Sequence, residues 1–159
     1  SGTTSKISSK YDQKVLVSIT QPNAARLARE MYGEVKENNE LVYASDLVNS
    51  YAWDTAIIFI QTYSGTSNYA SQNKSTAFQN TGKNADKYCN RWDMSGNVYE
   101  WTTEYSTYSS GSNFNPCVSR GGYYSTDHGR AYLYASYRGN FRTTDSLASH
   151  GLRPLLYVK

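Results

Sequence analysis

The sequence predicts a mixed α+β domain with two helices, short and mostly antiparallel strands, and long loops. Three observations carry that expectation. Helix-spaced apolar residues occur twice in the first half of the chain. The second half divides into strand-length pieces punctuated by Gly, Ser and Asn. No apolar run approaches the roughly 18 residues needed to cross a membrane. The 159 residues suffice for one domain with a real core.

Residues 1–13 are polar and begin Ser-Gly-Thr-Thr-Ser; they are expected as a flexible lead, a tag or linker remnant that an upstream anchoring domain can precede. The domain is expected over residues 14–159. Lys14-Val15-Leu16-Val17-Ser18-Ile19 reads as a short strand. Thr20-Gln21-Pro22 opens a helix, because a first-turn proline lacks only an N–H that would be unpaired anyway. Ala24, Leu27, Ala28 and Met31 give that helix an apolar stripe, and Gly33 closes it. Residues 34–42 are charged and loop-like.

A second helix is expected over residues 45–62, capped by Ser45 or Asp46. Ala56-Ile57-Ile58-Phe59-Ile60 is apolar on every side, which predicts burial in the middle of the domain, with Trp53 in the core. Residues 64–87 are polar and long for a loop, the kind of segment that is functional or mobile. Short strand-and-turn pieces follow Trp101, and Leu155-Leu156-Tyr157-Val158 reads as a terminal strand.

The net charge of +3 and scattered basic residues argue against a nucleic-acid partner, and nothing predicts membrane insertion. The 16 tyrosines are the compositional outlier, and more than half lie beyond residue 98. They fit either a loop-rich domain with few aliphatics or a contact surface, since Tyr offers amphipathic area at little rotamer cost. Cys89 and Cys117 are too few for a zinc site; the pair could form one disulfide, with buried free thiols slightly favoured.

The most informative segment is Asp93-Met94-Ser95-Gly96-Asn97-Val98-Tyr99-Glu100-Trp101. Gly96-Asn97 is a turn dipeptide, and the extended residues after it put Val98 and Glu100 on one side with Tyr99 and Trp101 on the other. A buried carboxylate between two large aromatics must meet an arginine, backbone N–H groups or a cation. Ser119-Arg120-Gly121-Gly122-Tyr123 and Gly151-Leu152-Arg153-Pro154 complete the pattern. Arg153 beside an apolar strand suggests a buried ion pair.

In this order, over roughly residues 86–159, the motifs resemble the C-type-lectin-like fold of the formylglycine-generating-enzyme (sulfatase-modifying factor) family. The resemblance implies a structural frame of Gly96, Asn97, Glu100, Trp101, Arg120, Gly121, Gly122 and Arg153. It also implies that residues 14–19 pair with the terminal strand. Catalytic members hold copper with two cysteines; the matching positions here are Thr126 and Ala131, neither a thiol. His128 and His150 are too few for a three-histidine iron site and read as surface residues. No catalytic residue, cofactor or metal site is therefore expected. Catalytic relatives also place calcium against the segment matching Gly96, Val98 and Glu100. Three oxygens fall short of calcium's six or more, so hydrogen bonds to Glu100 from the backbone or from an arginine such as Arg120 are favoured.

The layout further resembles the variable proteins of diversity-generating retroelements, whose C-terminal coding sequence is rewritten by adenine-directed mutagenesis. By that resemblance residues 120–151 form a variable region. The expected surface contacts are Tyr124, Ser125, Thr126, His128, Arg130, Tyr132, Tyr137, Asn140, Phe141 and Arg142. Burial is nearly as strong an expectation for Tyr132, Tyr134 and Phe141. The implied function is non-catalytic binding of an unknown protein or glycan on a target cell, displayed on a phage virion or a bacterial surface. The alternatives are a fixed-specificity carbohydrate-binding module and, less favoured, a formylglycine-generating-type oxidase.

Overall fold

The computed structural model describes residues 7–126 and 130–158. Helix α1 (Gln21–Tyr32) starts at the predicted proline and stops at Gly33, whose N–H bonds to the Arg29 carbonyl at 3.1 Å. Its buried stripe is Ala24, Ala25 and Ala28. Residues 34–42 are no loop. Strands β1 (Glu34–Glu37) and β2 (Glu40–Leu47) form a hairpin around Asn38-Asn39, both with positive φ, 50° and 63°, as a tight two-residue turn requires. The charges suit β1 because it is an exposed sheet edge.

Helix α2 (Ser50–Tyr63) begins later than the sequence suggested. Ser45 and Asp46 belong to β2, and Asn49 is the cap, accepting from the Ala52 N–H at 2.8 Å. Nor is α2 surrounded by protein. Trp53, Ala56, Ile57 and Ile60 face inward, whereas Ile58 is 62% and Tyr63 71% exposed.

Beyond α2 come the short pairs β3 (Lys87–Tyr88) with β4 (Arg91–Trp92) and β6 (Ser109–Ser110) with β7 (Asn113–Phe114). The structural centre is a four-stranded sheet of β5 (Tyr99–Tyr105), β8 (Cys117–Arg120), β9 (Arg138–Phe141) and β10 (His150–Leu152), in the order β10-β5-β8-β9. Only the β10–β5 pair is parallel among the described strands. The last strand, β11 (Pro154–Val158), joins the hairpin in the order β1-β2-β11. It pairs with β2 and not with residues 14–19, which run irregularly beside β10, close to Gly151. The last residues of the lead are anchored: Asp12 and Gln13 exchange main-chain hydrogen bonds with Thr81 at 2.8 and 2.9 Å.

Two apolar clusters hold these layers together. One lies under α2, around Trp53, Ile60, Tyr69 and Met94. The other lies between α1 and the central sheet, around Ala24, Ala28, Leu47 and Trp101. Cys117 is buried and Cys89 half-buried, both as free thiols.

Candidate functional site

The motifs around Glu100, Arg120 and Arg153 form a rigid frame. Glu100 is buried in β5, and both its oxygens accept from Arg153, from Nε and Nη2, each at 2.7 Å. Burial pushes the Glu100 carboxyl up to about 7, and the Arg153 guanidinium works against that shift. The expected partner, Arg120, is elsewhere engaged. Although it stands opposite Glu100 across β5–β8, it donates to Asp54, which α2 carries over the sheet. Trp101 Nε1 donates to the Ile19 carbonyl at 2.8 Å and Trp53 Nε1 to the Ala135 carbonyl at 2.9 Å. Gly121, with φ +75°, lies against the Trp53 ring, and a Cβ on Gly122 would stand 1.6 Å from the Leu133 carbonyl oxygen. No larger residue fits there.

This frame grips residues 121–126 and 130–137 chiefly by their backbone. Gly121 N–H donates to Tyr137 O at 3.2 Å, Tyr124 N–H to Asn97 O at 3.0 Å and Ser125 N–H to Ser75 O at 3.3 Å. Ala135 N–H donates to Gln72 O and Ser136 N–H to Ala70 O, both at 3.0 Å. Three of these acceptors lie in residues 64–87. That segment is therefore a packed cradle and not a free loop: Tyr69, Ser75 and Asp86 are buried, and the Tyr69 hydroxyl donates to Asp86 at 2.8 Å. Main-chain bonds do not depend on side-chain identity, so the gripped segment can vary its side chains and keep its path.

On this backbone stands a continuous arc of rings. Phe78 and Tyr124 have centroids 5.5 Å apart, Tyr124 and Tyr123 5.7 Å, Tyr123 and Tyr99 5.0 Å, Tyr99 and Tyr137 5.3 Å, and Tyr137 and Tyr132 6.4 Å. Arg130 ends the arc, its guanidinium 5.8 Å from the Tyr132 ring. Tyr99 is the buried floor, and its hydroxyl donates to the Tyr132 carbonyl at 2.8 Å. Beneath it His150 is 1% exposed, stacked on Trp101 at 4.6 Å and close to Phe141 at 4.4 Å. It is not a surface histidine. Burial holds its pKa down to about 4, so the ring is neutral at pH 7.

The expected contact residues divide accordingly. Tyr124, Thr126 and Arg130 are exposed; Ser125, Tyr132 and Tyr137 are half-buried along the same segment. Phe141 turns its ring to the core, edge-on to Trp101 at 5.6 Å, because β9 carries it against the α1-side cluster. Asn140 is half-buried in β9 with its Oδ1 enclosed, and Arg142 pairs with Asp145 at the strand's end. His128 lies outside the described residues. Sequence reasoning missed Phe78 and Tyr123; the one available signal for Phe78 was that it is one of two aromatics, with Tyr69, in the polar stretch 64–87.

The residues do not fit the metals that the catalytic relatives use. Thr126 and Ala131 supply a hydroxyl and a methyl where copper needs thiolates. At Glu100 a guanidinium already binds both carboxylate oxygens that calcium would need. Among the described residues no three His, Cys, Asp or Glu side chains are grouped to hold an ion.

Fold and frame define a C-type-lectin-like domain that carries an aromatic face on a pinned loop. The chain belongs to the sulfatase-modifying factor enzyme 1-like domain family, whose family model matches residues 4–155. Its structure is similar to that of Treponema denticola variable protein 1, with a TM-score of 0.61 at 15% identity, covering 98% of this chain and 77% of that one. It is also similar to the crystal structure of CarF, with a TM-score of 0.55 at 16% identity, covering 78% of this chain and 50% of that one. The matched part thus spans about half the length of CarF. No curated protein matches the chain.

Proposed function

We propose that this chain is a non-catalytic binding protein whose C-terminal face is diversified by a retroelement and displayed on a phage virion or a bacterial surface. One observation carries the reading: residues 121–126 and 130–137 are held by main-chain hydrogen bonds to fixed elements while most of their aromatic and polar side chains line the outer face. A surface that is to accept many sequences must leave the core untouched, and here the core is built by Trp53, Trp101 and the two helices. Likeness in fold to a protein called a variable protein agrees with this. Thr126 and Ala131, standing where catalytic relatives carry thiols, weigh against an oxidase.

Clonal sequencing of the locus tests the proposal. Substitutions concentrated at adenine-containing codons between Arg120 and Gly151 are expected, beside a reverse-transcriptase gene and a near-copy of the segment. An invariant segment across clones, with calcium-dependent binding to one glycan, would favour the fixed carbohydrate-binding module.

A further inference from the structure

A cavity lies on the other face of the central sheet from the aromatic arc. Glu100 and Arg120 stand opposite each other in register, and alternation along β5 turns them away from Tyr99, the floor of the arc. There the start of α2 overhangs the sheet and leaves a space of about 380 Å³, a size that suits a small molecule. Its walls include Ser50, Tyr51 and Asp54 of α2, Glu104 of β5, Arg120 of β8 and Arg138 of β9. We propose that this cavity binds a small zwitterion of the α-amino-acid type, its carboxylate held by Arg120 and the start of α2, its ammonium by Asp54. The site is separate from the arc, and its ligand does not depend on whether the arc is diversified.

Arg120 supplies the first reason. Its side chain is only 6% exposed; Asp54 accepts from its Nη2, and its Nε is enclosed with no acceptor among the described residues. A guanidinium has five N–H donors, so this one has capacity that a carboxylate fills. The start of α2 adds more. Asn49 caps the Ala52 N–H, which leaves the N–H groups of Ser50 and Tyr51 without partners inside the helix. No acidic side chain stands in the first turn to offset the positive end of the helix dipole. Charge then selects the class of ligand. Arg120 and Arg138 are already balanced by Asp54 and Glu104, two against two. A bare anion would leave the cavity with an uncompensated negative charge, whereas a zwitterion adds none. Glu104 is fully engaged, Oε1 by Arg138 Nε at 2.7 Å and Oε2 by the Ser50 hydroxyl. Asp54 is 54% exposed with Oδ1 on Arg120, so its Oδ2 is the acceptor left for an ammonium.

The test is titration of the intact chain with the common L-amino acids, read by NMR shifts of the Ser50 and Tyr51 amides and by calorimetry. At least one should bind with a Kd of about 1 mM or tighter. Its N-acetyl derivative lacks the ammonium and its amide lacks the carboxylate; each should bind about tenfold more weakly or worse. Asp54→Asn, at the exposed rim, should cost a similar factor with the melting temperature little changed. Acetate or inorganic phosphate binding as tightly as the best amino acid would overturn the zwitterion assignment. Full affinity of the N-acetyl derivative, or full affinity after Asp54→Asn, would overturn the place given to the ammonium. No shift of these amides with any amino acid at about 20 mM would overturn the site itself.

Discussion

Arg153 and Glu100 meet through two parallel hydrogen bonds of 2.7 Å, joining the residue before β11 to the start of β5. The pair ties the last strand's sheet to the central sheet, and Arg153 also donates to the Trp92 carbonyl at 2.9 Å. Removing one member leaves a buried charge without its counterion. Glu100→Gln or Arg153→Met should each destabilise the fold by about 3 kcal/mol or more. The double variant should lose clearly less than the sum of the two. Urea denaturation of the four proteins measures this, and strict additivity would mean that the pair is not coupled.

Gly122 sets the path of the pinned loop. With a Cβ 1.6 Å from the Leu133 carbonyl oxygen, Gly122→Ala forces the backbone apart at the point where the loop leaves β8. A loss above about 4 kcal/mol, or failure to fold, is expected. Gly111→Ala, where nothing stands within 4 Å of the added carbon, is the matched control, although its φ of +60° carries a smaller strain of its own. Equal melting temperatures for the two variants would contradict the packing described.

His150 gives stability a defined pH dependence. Folded, it takes up a proton only near pH 4, whereas unfolded it does so near its ordinary 6.5. Between those values the unfolded chain binds more protons at this residue, so the histidine's contribution to stability falls as pH drops through that window, by about 3 kcal/mol. Asp145 is the charged group acting on the ring, and it opposes the shift. Glu100, raised to about 7, and Asp86, both buried carboxyls raised by desolvation, contribute with the opposite sign and offset this loss. The difference between the wild-type chain and His150→Phe therefore isolates the histidine. Parallel stability–pH curves for the two would contradict its neutral burial.

Much of this was legible where local chemistry decides. Pro22 and Gly33 bound α1 within the chain's own dihedral preferences, and a buried carboxylate between Tyr99 and Trp101 had to find an arginine, backbone N–H groups or a cation, here Arg153. What the local pattern lacks is partners from far along the chain. Ser45 and Asp46 look like helix caps until β11 pairs with them, and Glu100 faces Arg120 in register until α2 brings Asp54. The charged residues 34–42 hid a hairpin because an exposed edge strand needs no apolar side. The polar segment 64–87 suggested a free loop because its packing uses main-chain bonds and buried hydroxyls, which leave no hydrophobic period. At the site, tyrosine content pointed to a face, but only the fold separates Tyr124, which lies outside, from Phe141, which turns inward.

The most direct measurement is the thermal stability of a chain with Tyr124→Ser, Thr126→Asn, Tyr132→Asn and Ser136→Tyr combined. If the segment is held by its backbone, the melting temperature should move by only a few degrees, about what four surface changes cost, with an unaltered near-ultraviolet tryptophan signal from Trp53 and Trp101. Loss of cooperative unfolding, or a fall of more than about 15 degrees, would mean that these side chains build the fold and are not free to vary upon it.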